Sequence, residues 1–309
     1  MFNPEKNELI VITGKGGVGR TVVAAALGRA VAHPGHTTVV CEVAEQGVIP
    51  RLLGGGKAES NGETDLGGGL AAATIDPDAT LREWIRSQFG AAIARTLGAS
   101  RSFSQLVAAA PGAAELLTIT KAWEMGPGRG FGKGTKDHAT VILDAPASGH
   151  GVAMLRSPRT FADIAAGGPI RKQAEKVWEL LRDPARCAIV AVTLPSELPV
   201  TETIELDTWM QEMLGRGLDL VVANRCEPSD FTATDIQRIR KVVRAGTLKA
   251  DALDVAVTAT DRRLDQEDLL AQLAQLPNVP VVRLPELQAD IPPAQMNSEL
   301  AQILRENVL

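Results

Sequence analysis

The chain has 309 residues, 45% hydrophobic and 22% charged, enough to bury the core of one large α/β domain with a small insertion. A formal net charge of −5 gives no chain-wide basic field for nucleic-acid phosphates, and no apolar run approaches the roughly 20 residues that span a bilayer, so neither a nucleic-acid partner nor an integral membrane segment is expected. Cys41, Cys187 and Cys226 form no CxxC pair and read as reduced, buried thiols, while the polar stretch from Met1 to Glu8 lacks signal-peptide regions and makes the cytoplasm the default location.

In chain order, the first predicted element is a strand, Leu9 to Thr13, followed by Gly14-Lys15-Gly16-Gly17-Val18-Gly19-Arg20-Thr21 and an Ala-rich helix from Val22 to about Ala32. Strand, glycine loop and helix in this order make a phosphate loop. Glycines let backbone N–H groups converge on a phosphate without a Cβ in the way, and the helix N-terminus adds its positive dipole end. Thr21 is placed to offer its hydroxyl to Mg²⁺. The pattern GxxxxGK[ST] is met except that Arg20 stands in the lysine position. Arginine keeps the charge, but its forked head does not simply replace a point charge reaching the β- and γ-phosphates.

A second strand is predicted over Thr37 to Cys41. Gly54 to Gly69, with seven glycines, reads as a mobile loop, as does Gly126 to His138, with five glycines. Arg129, Lys133 and Lys136 in the latter are assigned no chemistry. Between these loops Thr80 to Met125 has helical spacing, broken near Gly98 and Pro111, and Thr160 to Arg182 holds another helix after Gly167-Gly168-Pro169. Trp84, Phe89, Leu106, Leu116 and Trp123 form either the core of these helices or a surface for a client. Further strands are predicted at Thr140 to Leu143, ending in Asp144, and at Ala188 to Thr193, Leu218 to Ala223 and Val279 to Leu284. Consecutive apolar positions such as Ile189-Val190-Ala191-Val192 suit strands covered on both faces. The fold class is therefore α/β: a doubly wound, mostly parallel sheet spanning residues 1–309 as one P-loop domain, with a small helical subdomain from about 80–125 and 156–182. An acid at a strand's carboxyl end, Asp144, can hold Mg²⁺ through water.

Lys15, early in the loop, gives the form xKGGxGx[ST]. It resembles the loop of dimeric ATPases that include the septum-positioning and partition ATPases, the nitrogenase iron protein, and the arsenite-efflux and tail-anchored-protein-targeting ATPases. That resemblance implies that Lys15 reaches across a dimer to the partner's nucleotide. Val141 to His150, reading VILDAPASGH, resembles the switch II segment of the arsenite-efflux and tail-anchored-protein-targeting branch. His150 there is either a γ-phosphate sensor or a solvated loop residue. Ala73 to Asp78, Pro111-Gly112 with Glu115, Arg182-Asp183-Pro184, and Pro199 to Leu206 with Glu202 and Thr203 extend the similarity. The resemblance implies that Asn224, at a strand end, reads adenine, as its donor and acceptor allow, and that Val281 to Leu287, with Pro285, forms the closing strand and base-covering loop.

Departures from the family pattern narrow the reading. Its switch I aspartate, which orients the attacking water, has no counterpart; Glu42 and Glu45 are the candidates for that task. The zinc-binding CxxC and the arsenite cysteine cluster are missing, and no cysteine spacing suits an iron–sulfur cluster. The expectation is an ATP-hydrolysing dimeric switch using ATP/ADP and Mg²⁺ without zinc or an iron–sulfur cluster. It would act as a homodimer, or as a heterodimer with a paralogue, on an unidentified protein client. The alternative is a weakly catalytic or non-catalytic nucleotide-binding regulatory subunit, because both Arg20 and Glu42 depart from the pattern.

Overall fold

The computed structural model describes residues 2–43, 47–55, 62–98, 110–127, 137–146, 148–227, 233–245, 250–287 and 290–309. Every position of Leu9–Gly14 (β1), Thr140–Asp144 (β5) and Cys187–Thr193 (β6) is buried. Strands apolar at every step, rather than at alternate ones, are what a sheet covered on both faces requires. Thr38–Val43 (β2), Glu63–Gly67 (β3), Leu70–Ile75 (β4), Leu220–Cys226 (β7) and Val281–Pro285 (β8) complete one eight-stranded sheet in the order β3-β4-β2-β5-β1-β6-β7-β8. All neighbours are parallel except β3 and β4. The fold is a doubly wound α/β sheet. The chain leaves β1 toward β2 and later returns to pair β6 on the other side of β1, so the switch point lies at the carboxyl end of β1, where such sheets bind ligands.

Helices cover the two faces unequally. One face holds Arg20–Val31 (α1), the short Ile49–Leu52 (α2) and the C-terminal Pro293–Val308, and their buried side chains join Ile10, Ile12, Val40 and Ile142 of the sheet. The other face, around Val11, Val39, Leu143 and Ile189, is covered by buried residues of Ala113–Glu124, Ser148–Ile164, Gly168–Arg182, Glu197–Leu214 and Ala250–Leu273. With Pro77–Gly98 and Ala233–Arg244, the helices run in chain order as α3 (Pro77–Gly98), α4 (Ala113–Glu124), α5 (Ser148–Ile164), α6 (Gly168–Arg182), α7 (Glu197–Leu214), α8 (Ala233–Arg244), α9 (Ala250–Leu273) and α10 (Pro293–Val308). α3 packs on α4, α4 on α5, and α5 on α6. Leu116 and Trp123 join the core beneath them, whereas Leu81, Trp84, Leu117, Phe161 and Ile170 line an open apolar hollow of about 320 Å³. The Phe89 side chain and Leu106 lie outside the described residues.

The first glycine-rich segment departs from the loop reading. Within Gly54 to Gly69 the chain builds β3, hydrogen-bonded to β4 with Glu63 opposite Ala73 and Asp65 opposite Ala71. Leu66 packs against the α1 face, and Gly67, Gly68 and Gly69, with φ of +80°, +63° and +87°, make the reversal that sequence composition disguised as a flexible linker. In the second segment, residues 128–136, with Arg129, Lys133 and Lys136, lie outside the described residues. Its end, however, is fixed: His138 is buried, with Nε2 3.1 Å from Glu63 Oε2 as an ion-pair contact rather than an aligned hydrogen bond. All three cysteines are free thiols whose burial raises their pKa, Cys187 to about 12 and Cys226 to about 11.

The hairpin gives a direct test. A Cβ on Gly69 would run into the backbone of His33, while one on Gly68 meets open space. Gly68→Ala should cost about 1–2 kcal/mol for its left-handed backbone, and Gly69→Ala at least about 1 kcal/mol more because backbone cannot move aside as a side chain can. Urea titration measures both; equal costs would contradict the hairpin packing.

Candidate nucleotide site

β1 delivers Gly14 to the switch point with φ +145°. Any Cβ there would strike the Val192 carbonyl oxygen of β6, so the loop can turn this close to the neighbouring strand only through glycine. Gly17 and Gly19 also have positive φ, and a Cβ on Gly19 would collide with the Asn224 amide. Left-handed glycines in such a loop let successive N–H groups face a common hollow. Gly16 and Gly17 are exposed and Val18 is buried as the loop's apolar anchor. No side chain caps α1 and its first turn has no acid, which leaves the positive end of the helix available to an anion.

Around this loop the side chains are placed from several elements. Thr21, in the first turn of α1, donates to Asp144 Oδ2 at 2.6 Å. Asp144 is buried at the end of β5 and its Oδ1 has no partner among the described residues. Desolvation raises its carboxyl to about pH 6; the Thr21 hydrogen bond and the Arg20 charge pull the other way, and the nearby Glu42 charge pushes it further up. Arg20 donates from a guanidinium nitrogen to the Ala145 carbonyl, and burial lowers its pKa against the attraction of Asp144. Arginine stays charged despite such a shift.

Glu42 is fully buried on β2, on the same sheet face as Asp144. Its Oε2 accepts the Val48 and Ile49 N–H groups at 2.8 and 3.0 Å, closing the turn into α2, while Oε1 has no partner among the described residues. Glu45, the other candidate of that turn, lies outside the described residues, and so does the side chain of His150. Lys15 is held within its own chain by an ion pair to Glu202 of α7, Nζ to Oε1 2.7 Å.

Asn224 at the end of β7 is buried and donates to the Val18 carbonyl at 2.8 Å, tying that strand end to the phosphate loop. Together with Gly19, Val22, Arg225, Pro285 and Leu287 it lines a hollow of about 470 Å³ between the loop, the ends of β7 and β8 and the start of α10, within the size range of small-molecule sites. Arg225 has φ +55°, an uncommon conformation for a non-glycine residue of the kind that collects at functional sites. Sequence reasoning passed over it because nothing in an Asn-Arg-Cys string signals a backbone angle. It also missed Glu202 as the partner of Lys15, since the two are 187 positions apart.

A hard cation suits this chemistry. The unpartnered oxygen of Asp144 and the Thr21 hydroxyl beside it are oxygen donors of the kind Mg²⁺ takes, and Mg²⁺ needs only one or two carboxylates with phosphates and water. The described residues contain no cluster of three or more His, Cys, Asp or Glu side chains placed to hold a metal by themselves.

Phosphate loop, switch-point crevice and strand-end acid define a P-loop nucleotide-binding fold. Residues 7–166 match the model of the anion-transporting ATPase family, ArsA_ATPase, and the chain belongs to that family. ATPase BagA of Mycobacterium tuberculosis (strain H37Rv) is 28% identical over 277 residues, covering 86% of this chain and 78% of its own, and a Mycobacterium bovis protein matches to the same extent. A Halobacterium salinarum protein named "Putative arsenical pump-driving ATPase" is 25% identical over 308 residues, which is 93% of this chain but 45% of that longer one.

The raised Asp144 carboxyl makes a prediction for stability. Its folded pKa of about 6 lies above the ordinary 3.8, so ionisation opposes folding. That cost is absent below about pH 4, grows between pH 4 and 6 and is complete above. In EDTA and without nucleotide, Asp144→Asn should therefore raise stability by about 1–3 kcal/mol at pH 8 and by nothing near pH 4. Denaturant titrations at the two pH values measure this, and a gain independent of pH would contradict the assignment.

Proposed function

We propose that the chain binds and hydrolyses ATP with Mg²⁺ and uses the cycle to open and close a dimer that acts on a protein client. The observation that carries this reading is the Thr21–Asp144 pair at the foot of the phosphate loop, with one buried carboxylate oxygen left over. Gly14 to Thr21 would cradle the phosphates, Thr21 and Asp144 would hold the metal, and Asn224 and Pro285 would bound the base. When bound, Mg²⁺ neutralises charge on the phosphates and lowers the barrier to phosphoryl transfer to water. Glu42, buried on the same sheet face as Asp144 with Oε1 unpartnered among the described residues, is one candidate to orient that water; Glu45 is the other. Lys15 would act on the partner's nucleotide.

Switching follows from the Arg20 contact. A phosphate entering the loop competes with the Ala145 carbonyl for the guanidinium, and a charge-assisted bond is roughly twice as strong as one to a neutral acceptor. Its loss at Ala145 would let the segment leading into α5 take up new contacts, and γ-phosphate switches act through such ordering and release of a segment.

The second reading, a slow or non-catalytic subunit paired with a paralogue, is favoured by two specific contacts. Arg20 lies against a backbone carbonyl rather than open to the loop, and Glu42 spends one oxygen on two backbone N–H groups. Arsenite is not proposed as a stimulus: Cys41 and Cys187 are buried far apart in the sequence, and burial holds their thiols protonated.

Calorimetry and phosphate release test these roles. Arg20→Ala should weaken Mg-ATP at least about tenfold, as expected for loss of a charge-assisted phosphate contact; unchanged affinity would remove Arg20 from the site. Glu42→Gln should lower kcat by about 10²-fold or more while leaving nucleotide affinity nearly intact. A parallel fall in affinity would mean that Glu42 only shapes the loop. Arg20→Lys should raise kcat, and a rate no higher than that of the unaltered chain would show the arginine to be adapted rather than limiting.

A further inference from the structure

We infer that Glu202 is a positioning residue for Lys15: it parks the lysine on its own subunit and so sets how readily two chains close on nucleotide. The inference rests on the reading above that Lys15 acts across a dimer. Glu202 stands in the second turn of α7, which follows β6, and β6 pairs with β1 up to Gly14 opposite Val192. That register sets Lys15 beside α7 and makes the 2.7 Å contact a consequence of sheet order rather than a chance meeting of surface charges.

Thr203, next along the helix, is buried with its hydroxyl on the Pro199 carbonyl, and Glu202 Oε2 is itself buried without a partner among the described residues. Lys15 and Glu202 are alike in exposure, 31% and 33%, and Lys15 is the member carried on a flexible four-carbon stem. Four residues before Glu202, and so on the same face of α7, Leu198 is 57% exposed. A large apolar side chain facing outward beside the pair fits a surface that meets a second copy of this chain.

For Lys15 to reach a partner's phosphates the pair must break, once in each subunit. A partly exposed pair contributes little, equivalent to a factor of about 1.4 to 5, but two of them break in every closure. Their combined effect on the dimerisation constant lies between about twofold and thirtyfold.

Sedimentation velocity of the full chain with Mg²⁺ and a slowly hydrolysed ATP analogue reads that constant, and calorimetry with ADP at concentrations where the chain is monomeric reads the single site. Glu202→Gln should strengthen analogue-dependent dimerisation by about two- to thirtyfold, lower the KM for ATP more than it changes kcat, and leave ADP affinity of the monomer unchanged. In a Lys15→Ala background the same Glu202→Gln change should have no effect, because nothing is then parked. If Glu202→Gln leaves dimerisation unchanged or weakens it while Lys15→Ala abolishes it, Glu202 does not park the lysine, although Lys15 still acts in trans. If Lys15→Ala leaves closure intact, or weakens ADP binding to the monomer, the cross-subunit reading itself fails.

Discussion

The hydrogen bond from Thr21 to Asp144 joins the first turn of α1 to the end of β5, and the sheet order exists in a form that permits it. β5 lies between β1 and β2, so the strand-end acid comes up directly beside the loop that leaves β1. Were β2 the neighbour of β1, its Glu42 would occupy that place. Instead Glu42 sits one strand further out on the same face, where it closes the turn into α2 and adds its charge to the field at Asp144. Two buried carboxylates are thus concentrated at the carboxyl ends of adjacent strands, with the half-buried Arg20 guanidinium at the uncapped end of a helix.

Such an arrangement is unfavourable for folding. Ionising Asp144 without water is costly enough to lift its pKa to about 6, and a second acid nearby works in the same direction. The molecule tolerates this because the strands beneath the site are buried on both faces from Leu9 to Ile12 and from Val141 to Leu143, and each buried aliphatic side chain contributes on the order of 1.5–3 kcal/mol. Polar groups held at the carboxyl ends of well-buried strands are a common division of labour: rigid strands place the groups, and the loops at their ends carry the binding.

What was legible in the sequence follows the reach of each signal. β1, the glycine loop and α1 are contiguous, so their order carried both the fold and the phosphate site, and Asp144 followed because a strand of five buried positions ends on it. β3 was not legible: its residues Glu63 to Gly67 sit among seven glycines, and only the pairing with β4 makes them a strand. His138 falls in a segment whose composition reads as a mobile loop, yet its backbone is tied to Met125 and its ring is buried against Glu63. Those are tertiary facts without a local signature. The same holds for Glu42. A glutamate after an apolar strand looks like the beginning of a surface turn, and what buries it is the pair of backbone N–H groups that α2 aims back at its carboxylate. The hollow beside Asn224 was half legible. Asn224, Pro285 and Leu287 stood in segments recognisable by resemblance, whereas Val22 and Arg225 line it only because α1, β7 and α10 come together there.

The two cations of the loop are both engaged within the chain, but with acceptors of different kinds, and that difference separates their roles. Arg20 rests on a neutral carbonyl, a partner that a phosphate would displace at a net gain, so in the proposed cycle its release would be driven by nucleotide entering the same subunit. Lys15 rests on a carboxylate, a stronger competitor for an ammonium than a neutral carbonyl, so under the proposed cross-subunit reading it would leave Glu202 only for a triphosphate brought within direct contact of its ammonium. Under the proposed reading, site filling and dimer closure would be successive rather than simultaneous: binding would reset Arg20 first, and the approach of a loaded partner would draw Lys15 away from Glu202.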